Sequence, residues 1–355
     1  MIQTFSSTIR RKEMDAVLTC MVDEKIGPGE LNQKLVQTVK EAVGCDGAVA
    51  FRSSSIALSY ALRALNLEAG SSIMISALAD DWQYAAVESC GFKPLVLDVD
   101  EDCALVTAES VENGIKQGGR LLILSENFGI MPEAEEMQKI LSLGVPVIED
   151  ISKSFGSTIT FPPSEENAEA VVAKAGTFGV FSILGLEEFD TITGGGGAVL
   201  LAPKKRNWTA VKSFVETALG TDILPDINSS LAWVQIKEFE RNEALRKTIF
   251  EMYAHALRNG KNKTFVRGSL EESTVWSFPV VLAGSVKDAK QYANKKDVAI
   301  TAAFEHSVIA VHGEEFAEPC IHAKSLYLRC VLFPLYPRLG SEAATKIAKV
   351  LGTLP

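Results

Sequence analysis

Short runs of valine, isoleucine and leucine alternate with helix-period segments through the first two hundred residues. This alternation restricts the fold more than any other feature of the chain. Residues 29–43 place Leu31, Leu35, Val39 and Val43 on one face, the spacing of an amphipathic helix. Residues 47–51 (GAVAF) then read as a strand, and Ser53, Ser54 and Ser55 open a helix that runs from Ile56 to Leu65. Serine is a favoured N-cap, and a helix start presents free backbone N–H groups. The same alternation predicts strands at 72–77, 94–99, 120–124 and 145–149, with helices at 81–89, 110–117 and 133–143. Strands that are apolar throughout belong in a mainly parallel sheet covered on both faces. Ligands in such sheets bind at the carboxyl ends of the strands. Ser53–Ser55, Asp150 and Ser182 all stand after predicted strands and are expected to converge there.

Farther along, residues 161–175 (FPPSEENAEAVVAKA) read as an inserted acidic excursion led by prolines. Gly194–Gly197 lie between Thr191 and the apolar run Ala198-Val199-Leu200, and lack the Lys-Ser/Thr of a phosphate loop, so they predict a tight hairpin. Residues 231–255 carry apolar positions from Leu231 to Tyr253 at helical spacing and predict one long helix. An apolar stretch at 276–282, a strand at 328–333 and a helix at 341–351 complete a second unit. The expected organisation is α/β, with a large domain over residues 1–205 that includes an N-terminal arm at 1–28. A smaller C-terminal α+β domain is expected over residues 206–355.

Composition removes several classes of function. With 47% apolar and 23% charged residues, the 355-residue chain has the balance of a globular enzyme. A net charge of −10 argues against a nucleic-acid partner, which requires a basic face. No run of eighteen apolar residues predicts a membrane span, and MIQTFSSTIRRKEMD is followed by no apolar leader segment, so a cytoplasmic location is expected. Six scattered cysteines without a C-x-x-C pair predict reduced, mostly buried thiols. The four histidines have no metal-ligand spacing, and no metal is expected.

Several stretches, in chain order, resemble the DegT/DnrJ/StrS group of sugar-nucleotide aminotransferases, fold type I enzymes dependent on pyridoxal 5'-phosphate (PLP). Residues 26–30 (IGPGE) look like the group's N-terminal "GP" entry, and 48–62 (AVAFRSSSIALSYAL) like its "AVxVSSGTAALHLAL". Residues 91–100 are similar to "GAKPVFVDID", Val147-Ile148-Glu149-Asp150 to "VIEDA", and 176–182 (GTFGVFS) to "GDIGCFS". Residues 333–339 (FPLYPRL) look like "LPLYPGL". The resemblance runs over nearly the whole chain. It implies a mainly parallel, seven-stranded type of sheet, PLP or its amine form pyridoxamine 5'-phosphate (PMP) as cofactor, a nucleotide-sugar-like ligand and a homodimer.

The resemblance also implies roles. Asp150 sits where the group's aspartate pairs with the PLP ring nitrogen, which keeps the ring protonated and able to act as an electron sink. Ser54 and Ser55 stand in place of the glycine and threonine of "SGT", at the phosphate; a plain serine cap explains them equally well. Ser182 matches the phosphate-contacting serine. The departures lie in FSILGLEEFDTITGGGGAVLL (181–201), where Glu187 takes the place of the lysine that links the cofactor covalently. A carboxylate forms no such link, and near a phosphate and Asp150 it adds repulsion of roughly 1–4 kcal/mol. Glu188 is the alternative alignment. Asp80 stands where an aromatic ring stacks on the cofactor, with Trp82 two residues on as its substitute if the loop shifts. Arg52 replaces a small residue and is a further candidate for the phosphate. Asn228 falls where a neighbouring subunit approaches the site. Lys153, three residues past Asp150, supplies a displaced covalent link, balances Asp150 and Glu187 as an ion pair, or points to solvent.

Two readings follow. One is a divergent homologue, a pseudoenzyme unable to do ordinary transamination, with the cofactor bound non-covalently or lost. The other is an active transaminase or dehydratase-like enzyme on a nucleotide-linked keto sugar, using Lys153, or using Glu187 as general acid or base.

Overall fold

The computed structural model describes residues 1–163, 169–258 and 260–355. Five strands, β1 (Gly47–Phe51), β2 (Ser72–Ser76), β3 (Lys93–Leu97), β4 (Gly119–Ser125) and β5 (Val147–Asp150), are separated by helices at Ser54–Leu65, Trp82–Ser89, Ala108–Lys116 and Ala134–Ser142. A hairpin of β6 (Thr158–Phe161) and β7 (Val171–Lys174) follows, then β8 (Phe181–Gly185) and β9 (Ala198–Ala202). The seven longer-range partners form one sheet in the order β1-β9-β8-β5-β4-β2-β3. Strands β3, β2, β4, β5 and β8 pair in parallel, whereas β9 runs antiparallel to both β8 and β1.

Strand β4 shows why this sheet needs two covers. Leu121 and Ile123 pack with Leu58 and Leu62 of the helix Ser54–Leu65, while Leu122 and Leu124 pack with Met137 and Ile140 of the helix Ala134–Ser142. Adjacent strand residues point to opposite faces, so a strand buried on both faces must be apolar at every position. All four of these β4 side chains are fully buried.

A second sheet, β10 (Phe278–Val281), β12 (Cys330–Phe333) and β11 (Thr301–Ala302), is antiparallel and three-stranded. Tyr253 and Leu257 of one helix and Ile347 and Leu351 of the last helix pack with Phe278, Val280 and Phe333 of this sheet. The chain's first residues join the same body. Ile2 N donates to Asp297 O at 2.7 Å, and Ala299 N donates to Ile2 O at 2.9 Å. That anchorage decides where Thr4 and Phe5 lie.

Three expectations change. The expected helix at 231–255 is two helices, Asp226–Lys237 and Phe239–Leu257, meeting at Glu238 with φ −94° and ψ 3°. Neither glycine nor proline marks this break. Tertiary contacts hold it: Phe239 packs edge-on to Phe155 at 5.1 Å, and the Glu238 carboxylate meets Lys12 and Arg241. The expected strand at 328–333 begins only at Cys330, because the helix Ile321–Arg329 carries Leu328 outward, 58% exposed. Residues 11–22, read as part of an arm, form a helix that packs on Asp226–Lys237. The glycine-rich return does join antiparallel partners, with Gly185 opposite Ala198. Gly195, Gly196 and Gly197 have φ of 69°, 121° and 116°, a left-handed run that side chains resist. The centre of the acidic excursion, 164–168, lies outside the described residues, and its flanks pair as β6 and β7.

Candidate functional site

The carboxyl ends of the parallel strands open into a cavity of about 430 Å3. Each wall comes from a different strand exit. The turn after β1 brings Ser54, the turn after β2 brings Asp80, Asp81 and Trp82, and the turn after β5 brings Ser152 and Lys153. The β8–β9 connection brings Glu187, Phe189 and Asp190. The far wall is Trp276, Phe304 and Leu335, with Phe5 closing over Phe189 at a ring separation of 4.6 Å.

Asp150 lies buried beneath this cavity. Its Oδ1 accepts from the backbone N–H of Ser152 at 3.1 Å and from the Ser152 hydroxyl, and its Oδ2 accepts from Gln83 Nε2 at 2.7 Å. Burial raises its pKa, and the two Ser152 hydrogen bonds act in the opposite sense. The Ser152 hydroxyl also accepts from Gly185 N at 2.9 Å, which ties β8 to the turn after β5. Gln83 is fully buried and exchanges hydrogen bonds with Ser125, so its amide is held from both ends.

The Lys153 ammonium stands 2.7 Å from Asp80 Oδ2 and 5.1 Å from the ring centre of Trp276. Of the openings left at the sequence level, the structure takes an ion pair, with Asp80 as the partner rather than Glu187. Burial works against the Lys153 charge, but Asp80, with Asp190 and Asp150 behind it, more than offsets this and raises its pKa. Lys153 and Asp80, two residues that look unrelated in sequence, therefore neutralise each other. Asp80, Ser152 and Lys153 also line a void of about 10 Å3 that reaches Asp150.

The remaining candidates separate clearly. Trp82, Ser54 and Glu187 line the cavity. Ser53 takes the cap, its hydroxyl accepting from Ile56 N at 3.2 Å, which leaves the Ser54 hydroxyl outside the capping role. Ser55 is half-buried, Glu188 is exposed, and neither lines the cavity. Ser182 is fully buried and donates to Gly176 O at 3.0 Å, away from the cavity. Arg52 is exposed and outside the cavity lining. Asn228 donates to Gly194 O at 2.9 Å, bracing the glycine turn. Among the described residues, no group of three or more His, Cys, Asp or Glu side chains is placed to hold a metal ion. No helix there is long and apolar enough to cross a membrane.

Four residues of the site have no sequence signal of their own: Gln83, Ser152, Asp190 and Trp276. Gln83 follows Trp82 on a short helix and reads as surface until the helix is docked. Asp190 is the clearest omission. Its Oδ2 accepts from Glu187 N at 2.8 Å and shapes the loop, and burial pushes its carboxyl up to about 8, with Lys153 opposing. The resemblance did flag this loop as unusual, but through Glu187 and Glu188.

The chain matches the family model for the DegT/DnrJ/EryC1/StrS aminotransferase family over residues 7–352. Among solved structures, the aminotransferase from Psychrobacter cryohalolentis is 17% identical with a TM-score of 0.84, over 98% of this chain and 97% of that one. A proposed sugar aminotransferase from Streptococcus pneumoniae in its PMP form is 15% identical with a TM-score of 0.83, over 98% and 97%. The E. coli GDP-4-keto-6-deoxy-D-mannose-3-dehydratase with bound hydrated PLP is 15% identical with a TM-score of 0.83, over 99% of both chains. These likenesses share the fold, a large mostly parallel sheet with a smaller C-terminal one.

Proposed function

The chain belongs to the DegT/DnrJ/EryC1/StrS aminotransferase family, and from that premise we propose that its cavity holds PLP or PMP without a covalent bond. It is then a divergent homologue that does not carry out ordinary transamination. One observation carries this reading: position 187 is a glutamate, and Lys153, the one lysine lining the cavity among the described residues, is already ion-paired to Asp80. The site residues fit a non-covalent guest. A carboxylate offers about four lone-pair positions; three of those on Asp150 are taken, which leaves one on Oδ2 for a ring N–H. Ser54 stands at a helix N-terminus, where dipole and N–H groups favour a phosphate. Trp82 and Trp276 supply flat apolar walls. When bound, the pyridinium ring supplies an electron sink. Asp150 holds that ring in place and the aromatic walls exclude water. A nucleotide-sugar-like ligand is the expected second guest, because the E. coli dehydratase is named for a GDP-linked keto sugar.

The decisive test is trapping. Protein incubated with PLP and reduced with borohydride is expected to show no mass increase, while tryptophan fluorescence reports saturable binding. A labelled Lys153 peptide would instead establish a displaced covalent link and sink the reading. A second reading, dehydratase-like chemistry with Glu187 as general base or acid, is favoured by the place of Glu187 in the cavity wall. Turnover of a nucleotide-linked keto sugar that is lost in Glu187→Gln would establish it.

The same proposal includes a homodimer in the cytoplasm. Met14, Leu18 and Met21 form an exposed apolar stripe at i, i+4 and i+7 on the helix Arg11–Val22, each more than half exposed. Such a contiguous stripe suits a second copy of the chain. The six free cysteines suit a reducing compartment. Sedimentation equilibrium is expected to give twice the 38.3 kDa chain mass, and Leu18→Glu with Met21→Glu to return the monomer. A wild-type monomer at micromolar concentration would refute the stripe's role.

A further inference from the structure

The charge lining the cavity does not balance. Asp80, Asp81, Glu187 and Glu305 line it beside Asp190, whose carboxyl burial pushes up to about 8 and so leaves largely neutral at pH 7, and Lys153 is the one lysine in the lining among the described residues. Asp80 is answered by Lys153, and Asp81 Oδ1 is in hydrogen-bond contact with His312 Nε2 at 2.9 Å. Glu305 and His306 meet at 3.7 Å with both side chains more than half exposed, a geometry of little worth. Glu187 has no cationic side chain within 4.0 Å among the described residues, while Asp190, which Lys153 already opposes, accepts the Glu187 backbone N–H. The loop carrying both acids is held in place. Glu187 N is tied to Asp190, Leu186 N donates to Gly197 O at 2.8 Å, and the Phe189 carbonyl accepts from Trp276 Nε1. The same loop places the Phe189 ring on the cavity beside Phe5, with Trp276 next to it.

Unanswered carboxylate and exposed aromatic faces at one cavity mouth recognise the same kind of ligand. The aromatic face attracts a cation through its quadrupole, the carboxylate attracts it through charge, and both effects strengthen as water leaves. Lys153 already exploits the Trp276 face in this way from the inner side. The geometry points to a binding site for an organic ammonium ion on a ring or apolar body, with Glu187 as counter-ion and Phe189 and Trp276 as walls. This assignment rests on the reading of the cavity as the chain's ligand site. It goes beyond that reading by fixing the charge of the group that docks at the mouth.

Three probes of one shape and different charge test it: benzylamine, benzyl alcohol and benzoate, each titrated into the full-length protein by tryptophan fluorescence and equilibrium dialysis. Benzylamine is expected to bind at least about tenfold more tightly than benzyl alcohol, and benzoate more weakly than either. Glu187→Gln, a substitution of an exposed side chain, is expected to bring benzylamine to the level of the alcohol. Phe189→Ala is expected to weaken both the amine and the alcohol. Equal affinities for amine and alcohol, no binding of any probe, or an amine preference unchanged in Glu187→Gln would overturn the proposal. Titration with PLP and PMP keeps the two readings apart. Cofactor binding without amine preference sinks only this inference, and amine preference without cofactor binding sinks only the cofactor reading.

Discussion

Glu149→Ala is expected to cost the chain most of its folding stability. Glu149 is fully buried on β5 and accepts three backbone N–H groups of the following loop, Gly176 at 2.8 Å, Phe178 at 2.8 Å and Gly179 at 2.7 Å. Removing the carboxylate orphans all three donors in a place water does not reach. At about 1–3 kcal/mol for each unsatisfied buried group, the loss is roughly 3–9 kcal/mol, against about 5–15 kcal/mol for a typical folded domain. The loop has no room to retreat, since a Cβ on Gly179 would meet Val147 O at 2.5 Å. Urea denaturation measures the change, and a loss under about 1 kcal/mol would show that the donors find other partners. The same carboxyl makes stability depend on pH. Burial raises it from 4.5 to about 7, and its three donors act in the opposite sense. The neighbouring Glu126, buried and hydrogen-bonded by Ser154, is raised well above its ordinary range by burial and by the Glu149 charge. A carboxyl raised on folding binds its proton more tightly in the native state. Its contribution is full below about 4.5 and is lost as pH rises through about 7.

Asp150→Asn is expected to lower PLP and PMP affinity by about a hundredfold, with a smaller effect on stability. The ring nitrogen of the cofactor needs a negative partner, and losing one side of a buried, hydrogen-bonded charge pair costs about 2–5 kcal/mol. The asparagine keeps the size of the residue and one acceptor for Ser152 N, so the turn after β5 holds. Asp150→Ala would confuse the two effects, because the Ser152 donors as well as Gln83 Nε2 would lose their acceptor, whereas in Asp150→Asn only Gln83 Nε2 does. Fluorescence titration of both cofactors gives the affinity, and a urea curve on the same sample gives the stability. Unchanged affinity in Asp150→Asn would place the ring elsewhere in the cavity and remove Asp150 from the site.

The mainly parallel sheet was legible in the chain. Every residue of strands such as 47–51 and 121–124 is buried on one face or the other, and burial on both faces leaves an uninterrupted apolar run in the sequence. Asp150 stood out through the resemblance of Val147-Ile148-Glu149-Asp150 to the group's motif and through its place at a strand end. The break at Glu238 was not legible, because no local residue causes it and the contact with Phe155 is 84 positions away in sequence. The exposed Leu328 misled for the complementary reason, since a side chain's hydropathy does not say which way its helix faces.

What the sequence determined alone was therefore periodic or local: the alternation of strands and helices, a serine-rich helix start at 53–55, and the glycine turn at 194–197. Only the tertiary structure decided the pairing of Lys153 with Asp80, the grip of Gln83 on Asp150, and the closing of Phe5 over Phe189. Each of these joins residues 67 or more positions apart, and Lys153 and Asp80 bring opposite charges to one wall from two different strand exits. Periodicity records which face of an element is buried. It carries no record of which distant side chain will be waiting there, and a charge or hydrogen bond in a cavity is defined by that partner.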